Sequence, residues 1–194
     1  MIFGIDKAKV GNCLLGEMFY AVELNGKIYK LHDTVGLGEH SSGTVDSVKV
    51  VRNLYRLLNN LSNSRGINLL VFIMKQGRLT ETIYKNFVLF QDSFCNSKVP
   101  IVIIVTGCKD IEPMMDRWWI NNEASFLKAG ISFDGYACVC AFKGRKINTS
   151  GYHNEDLVHE SIGVVKQLVI QYCMPNGWKK VCPSSIMKLA FGIY

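Results

Sequence analysis

The sequence predicts an α/β domain: a doubly wound, mostly parallel sheet opened by one antiparallel hairpin. Three observations predict it. Short apolar runs alternate with stretches of helical periodicity along most of the 194 residues, the pattern that sets strands side by side with helices crossing over them. Asn25-Gly26 joins two β-like runs near the start, and this dipeptide tolerates the positive φ of a two-residue hairpin turn. Two apolar runs end in polar, glycine-bearing turns, Asp33-Thr34-Val35-Gly36 and Thr106-Gly107-Cys108-Lys109-Asp110. Such turns lie at the carboxyl edge of a doubly wound sheet, where its binding crevices form.

Each element has its own signature. The hairpin covers Glu17 to Asp33. From Thr44 to Leu61, Val48, Val51, Leu54, Leu58 and Leu61 recur at three- and four-residue spacing, which predicts an amphipathic helix closed by Asn63-Ser64-Arg65-Gly66. Ile67–Met74 then runs apolar, as a strand covered on both faces does. Thr80 to Phe94 carries Ile83, Phe87, Phe90 and Phe94 at helical spacing, and Pro100 opens the strand Ile101–Val105. A third helix is predicted from Met114 to Lys128, with Trp118, Trp119 and Phe126. One indole of the adjacent pair is expected inside and the other over a neighbouring edge. Tyr136–Phe142 reads as a short strand. Glu155 to Cys173 reads as the last helix, with a stripe of Leu157, Ile162, Val165, Val169 and Tyr172, acids in its first turn, and Pro175 with Asn176-Gly177 beyond its end. Residues 1–177 form one predicted domain and 178–194 a tail.

Composition narrows the classes. A hydrophobic content of 48% is enough for one sizeable core. The apolar runs are too short to cross a bilayer, so no transmembrane segment is expected. Asp6 and Lys7 follow Met1–Ile5 directly and leave no room for the apolar centre of a signal peptide. Seven cysteines without a C-x-x-C pair argue against a disulfide scaffold and for a reducing cytosol or nucleus, and a cytoplasmic location is expected. The net charge of +6 is modest, and its short basic blocks are Lys143 to Lys146 and Trp178-Lys179-Lys180. No specific nucleic-acid partner is expected from them.

Four constellations bear on chemistry. Asp33 followed by Gly36 after a strand suits phosphate chemistry: the acid can hold magnesium through water, and the glycine lets a backbone N–H approach a terminal phosphate. The same Asp-x-x-Gly is also an ordinary turn, and both readings stay open. Gly36, Gly38 and Gly43 with Ser41 and Ser42 make a loop able to switch, or simply a flexible one. Thr106 and Gly107 begin a turn that can offer polar groups to a base, with Lys109 where an acid would read guanine and Asp110 one residue later. Cys138 and Cys140 share a strand face, with His153 and His159 beyond. Their spacing matches no zinc pattern, and buried core thiols are the plainer reading. No stretch reads G-x-x-x-x-G-K-[ST], and no Ser-His-Asp or Cys-His order stands out.

Taken in order, Leu31-His32-Asp33-Thr34-Val35-Gly36-Leu37, Leu69-Leu70-Val71-Phe72, Gly77-Arg78-Leu79-Thr80, Val99-Pro100-Ile101-Val102, Thr106-Gly107, Trp118-Trp119 and Ala137-Cys138-Val139-Cys140-Ala141 resemble the fungal G domain-containing proteins. Those in turn resemble the immunity-associated and avirulence-induced GTPases of plants and animals, within the translation-factor-like class of P-loop GTPases. The resemblance runs from about residue 10 to residue 175. It implies a Ras-like sheet that binds GTP or GDP with Mg2+. Asp33, Thr34 and Gly36 would form the magnesium and γ-phosphate motif, with Asp33 holding the metal, and Gly11 to Leu14 would be the remnant of the first switch. Thr106 to Lys109, with Asp110, would form the base-reading turn, and Cys140-Ala141 would meet the guanine carbonyl through backbone N–H.

The sequence departs from that pattern at three places: the phosphate loop is missing, Lys109 stands in place of the base-reading acid, and Cys13 falls near the first-switch threonine although sulfur is a poor magnesium ligand. Leu37 stands where Ras-like enzymes keep a water-orienting glutamine, so hydrolysis would recruit Glu39 or His40, or a group from a second copy across a homodimer formed through the switch face. In the Ras-like order a central strand lies between the strand ending at Asp33 and Ile67–Met74. Leaving that place empty would cost about 1–3 kcal/mol for each buried unpaired N–H or C=O. Met1–Ile5 can fill part of it without supplying a phosphate cradle. The expectation is therefore a weak or inactive GTP-binding domain, truncated at its N-terminus or degenerate. The alternatives are a nucleotide-independent protein-interaction module using Trp118-Trp119 and the switch-like loop, and a metal or redox protein using Cys138 and Cys140.

Overall fold

The chain turns back on itself at Asn25 and Gly26, where φ is 49° and 72°, the paired left-handed values of a type I′ hairpin. The computed structural model describes residues 2–5, 19–33, 47–95, 97–147 and 151–179. They fall into two compact units. The first is drawn from Met1–Leu70, Glu81–Pro100 and Met174–Tyr194, and the second from Val71–Thr80 and Ile101–Cys173.

In the first unit, β1 (Ile2–Ile5) lies between two partners. It pairs antiparallel with β3 (Lys27–His32), from Ile2↔His32 to Ile5↔Tyr29, and with the first residues of β4 (Leu69–Lys75), at Ile2↔Leu70 and Phe3↔Leu69. β2 (Phe19–Leu24) completes the hairpin with β3. The place expected for a central strand is thus filled by Ile2–Ile5. Its direction is the reverse of the expected one: β1 starts beside His32 and runs away from the edge that carries Asp33. Antiparallel pairing in this unit therefore extends beyond the one predicted hairpin.

Helix α1 (Ser47–Asn63) buries Leu54, Leu57 and Leu58, and the Gly66 N–H closes it on the Leu61 carbonyl at 2.8 Å. Ile67 then meets Trp178 through two backbone hydrogen bonds of 2.9 Å, one in each direction. Beside them the buried Asn68 donates from Nδ2 to the Met174 carbonyl at 2.7 Å, and the Met174 N–H donates to the Asn68 carbonyl at 3.1 Å. This clasp explains two glycines. A Cβ on Gly66, already at φ +85°, would sit 2.5 Å from the carbonyl carbon of Gly177, and one on Gly177 would overlap the Arg65 carbonyl oxygen. Trp178, predicted to begin a tail, is thereby anchored in the first unit, while residues 180–194 lie outside the described residues. α2 (Glu81–Val88) carries the pair Lys85 Nζ–Glu81 Oε1 at 2.8 Å and passes into a π-helical stretch, Leu89–Phe94, where one α-helix was predicted.

In the second unit β4, β5 (Ile101–Thr106) and β6 (Gly135–Val139) form a three-strand parallel sheet in that order. β5 and β6 keep register from Val102↔Gly135 to Thr106↔Val139. Ile101 to Val105 are all buried, as the continuous apolar run predicted. Asp134 brackets the start of the pair: its N–H donates to the Ile101 carbonyl, and its Oδ2 accepts from the Ile101 N–H, both at 2.8 Å. α3 (Arg117–Lys128) and α4 (Glu155–Tyr172) belong to the same unit, and none of the described helices is long and apolar enough to cross a membrane.

Three local expectations in this unit are corrected. Both Trp118 and Trp119 are buried. An indole is long enough to reach inward across a 100° offset, and Trp118 meets Phe126 edge-on at 6.4 Å while Trp119 packs on Phe126 at 5.2 Å and stacks on Tyr136 at 5.4 Å. On α4 the buried positions are Ser161, Leu168 and Val169, and Ile162 is 48% exposed. The strand expected over Tyr136–Phe142 stops at Val139, and Phe142 is 67% exposed. The last two have one cause. The Cys140 N–H leaves the ladder and donates to Ser161 Oγ at 2.9 Å, and Ser161 donates in turn to the Leu157 carbonyl at 2.6 Å. A polar group must therefore occupy the inner face of α4, which turns Ile162 outward.

Beyond that departure the chain forms a short two-stranded arm. The Asn154 N–H donates to the Lys143 carbonyl (2.9 Å), the His153 N–H to the Arg145 carbonyl (3.0 Å), and the Ile147 N–H to the Gly151 carbonyl (3.0 Å), with Lys146 bridged to Tyr152. Two residues on one side answer to one on the other. Gly144, at φ +81°, is the extra residue of a bulge.

Candidate functional site

The carboxyl edge of the parallel sheet is where the fold gathers polar groups. Gly107, at φ +84°, turns the chain out of β5 into a 3-10 turn, Cys108–Asp110. Two side chains from the end of β4 hold that turn. Gln76 Nε2 donates to the Gly107 carbonyl at 2.7 Å, and the Lys75 stem lies 3.6 Å from where a Gly107 Cβ would be. The Gln76 N–H donates to the Thr106 carbonyl at 2.9 Å, and Thr106 Oγ1 donates to the Met74 carbonyl at 3.3 Å. A side chain on Gly107 would meet the Lys75 and Gln76 stems in addition to its left-handed backbone.

Register brings the two predicted base-side turns together. Thr106 faces Val139, so Gly107 and Cys140 are the next residues on adjacent strands. Thr106, Lys109 and Asp110 thus share one edge with Cys140 and Ala141. Their donors are nevertheless engaged. Lys109 Nζ lies 3.7 Å from Asp110 Oδ2, so the carboxylate that could substitute for a base-reading acid has its own neighbour as counter-ion. The Cys140 N–H, assigned to a guanine carbonyl by the resemblance, is taken by Ser161. Ala141 is exposed.

Asp33 belongs to the first unit, exposed, one residue beyond β3. Its neighbour His32 is buried, and burial, with the Lys30 ammonium, holds its imidazole below the ordinary histidine range. Thr34, Gly36, Glu39 and His40 lie outside the described residues, as do Gly11 to Leu14. Among the described residues no three His, Cys, Asp or Glu side chains gather as a metal site. Magnesium is commonly held by one or two carboxylates together with substrate phosphates, and Asp33 is the carboxylate that the resemblance offers for it.

Cys138 and Cys140 are buried free thiols, as the plainer reading of the sequence has it. Cys138 pairs with Cys108 from the neighbouring strand end, not with Cys140. The contact with Cys108 and then burial push the Cys138 thiol upward, so it remains a neutral core group. Cys108 Sγ reaches the Val105 carbonyl at 3.6 Å, and Cys140 Sγ donates to the Phe142 carbonyl at 3.3 Å. Sequence reading missed Gln76, Asn154 and Ser161, since nothing in their spacing marks them, and gave Cys108 no role of its own within its turn.

No family model, no curated protein and no solved structure matches this chain.

Proposed function

We propose that this chain is a guanine-nucleotide-binding domain of GTPase lineage with weak affinity. The observation that carries the reading is the register of β5 against β6, which sets the Thr106–Asp110 turn beside Cys140-Ala141. Affinity is weak because the 194 residues contain no G-x-x-x-x-G-K-[ST] and because Lys109 offers guanine a donor where an acceptor is needed. We propose no hydrolytic step.

Titration with a fluorescent GTP analogue, with and without magnesium, tests the reading. Saturable binding supports it, and Lys109→Asp should then raise the preference for GTP over ATP. Absence of saturable binding at millimolar nucleotide overturns it. One observation favours the second reading, a nucleotide-independent interaction module: the Ser161 hydroxyl already occupies the Cys140 N–H. In that reading Trp118 and Trp119 are not contacts, because both are buried.

A further inference from the structure

The arm that follows β6 carries a basic run, with the Glu155 carboxylate at its base, where Oε2 accepts from the Tyr152 N–H at 3.2 Å. From Gly135 through Asn154 the sequence contains no Asp or Glu, and Lys143, Arg145 and Lys146 fall in that stretch. All three are exposed, and none forms an ion pair among the described residues. Large unsaturated rings stand among them. Phe142 is 67% exposed and Tyr152 38% exposed, with Lys143 Nζ 5.5 Å from the centre of the Tyr152 ring.

The arm is also held in shape. Asn154 occupies the residue before α4, where an Asn side chain ordinarily caps the helix. Here it makes no cap hydrogen bond. It is buried, and its Nδ2 donates to the Phe142 carbonyl at 3.1 Å while its N–H holds the Lys143 carbonyl. Gly144 makes the bulge, and a Cβ there would come within 3.0 Å of Asn154 Nδ2. A cap is given up to fix the carbonyls of Phe142 and Lys143, so this ring is carried on a braced backbone.

We propose that this arm binds single-stranded nucleic acid without sequence preference. Lys143, Arg145 and Lys146 contact successive phosphates, while Phe142 and Tyr152 offer ring faces to unstacked bases. Stacking requires bases that are free of a partner strand, which selects single strands over duplex. An anionic bilayer is the competing occupant, because Ile147, 65% exposed, is apolar and offers no face for stacking. The two aromatic side chains bracketing the basic run favour the nucleic acid.

Fluorescence anisotropy with a labelled oligothymidine of about a dozen nucleotides tests this. Three phosphate contacts on a single strand predict a slope near −2 for log affinity against log salt, so raising salt from 50 to 200 mM should weaken binding about 20-fold. Lys143→Ala/Arg145→Ala/Lys146→Ala should abolish most of that slope. Phe142→Leu, which keeps apolar bulk and removes the ring face, should weaken binding on the order of tenfold and leave the slope unchanged. A duplex of the same length should bind more weakly than the single strand. Far-UV circular dichroism and denaturant midpoints establish that each variant is folded. The proposal is overturned by oligonucleotide binding that none of these variants changes, by no oligonucleotide binding at 50 mM salt, or by binding only to phosphatidylserine vesicles with Phe142→Leu as effective as the parent.

Discussion

The two ends of β6 put aromatic side chains to opposite use. At its start Tyr136 lies under Trp119, with Phe126 and Phe133 joining at ring separations of 5.2 to 6.2 Å. At its far end Phe142 and Tyr152 stand exposed among cations. A ring surrounded by other rings contributes by leaving water and by packing. A ring on a braced loop gains nothing of that kind from its own chain. The difference predicts that the first end governs folding and the second governs contact.

The largest expected effect is on the packed end. Phe126→Ala should cost about 3–5 kcal/mol in a denaturant titration, since it leaves a cavity among Trp118, Trp119 and Phe133. Phe142→Ala should change stability by no more than about 0.5 kcal/mol. Similar losses for the two would erase the distinction. Next comes Gly135→Ala at the first residue of β6, where a Cβ would overlap the Tyr172 ring. About 1–3 kcal/mol should be lost, and pairing with Tyr172→Leu should recover part of it.

Ser161→Ala acts where the strand gives way to the arm. It leaves the Cys140 N–H without its acceptor, at a cost of about 1–3 kcal/mol. A nearly neutral result would mean that Cys140 can rejoin the ladder and that the arm is not set by α4. The smallest effect is on alkaline stability. Burial, then the Asp116 carboxylate, raises the Tyr136 phenol above the ordinary value of 10.0. The folded state holds this proton more tightly than the unfolded chain does. Its stabilising share is therefore complete below about pH 10 and is lost as pH rises through the higher folded value. Tyr136→Phe should flatten the stability–pH curve in that window.

Legibility followed the physics of each signal. Asn25-Gly26 was readable because a type I′ turn demands positive φ at two successive residues, and few dipeptides tolerate it. β5 was readable because five consecutive apolar residues have few alternatives to burial. Ile162 misled because periodicity scores hydrophobicity, whereas the inner face of α4 had to supply an oxygen for a backbone N–H that only the tertiary fold reveals. Trp118-Trp119 misled because angular spacing ignores side-chain reach. The direction of β1 was not legible at all: Ile2–Ile5 states that a strand is apolar and leaves its orientation to its partners. At the candidate site, the alignment of the Thr106 and Cys140 turns followed from strand alternation. Gln76 and Ser161, which occupy the polar groups there, act across 31 and 21 residues of sequence.

The clasp between Asn68 and Met174 spans 106 residues of sequence. A ribosome adding about 5–20 residues per second reaches the second partner roughly 5–20 s after the first. Throughout that interval the segment around Gly66 has water, not Gly177, against it. A nascent chain arrested before Met174 should leave these residues open to proteases or to a chaperone, and completing synthesis should close them.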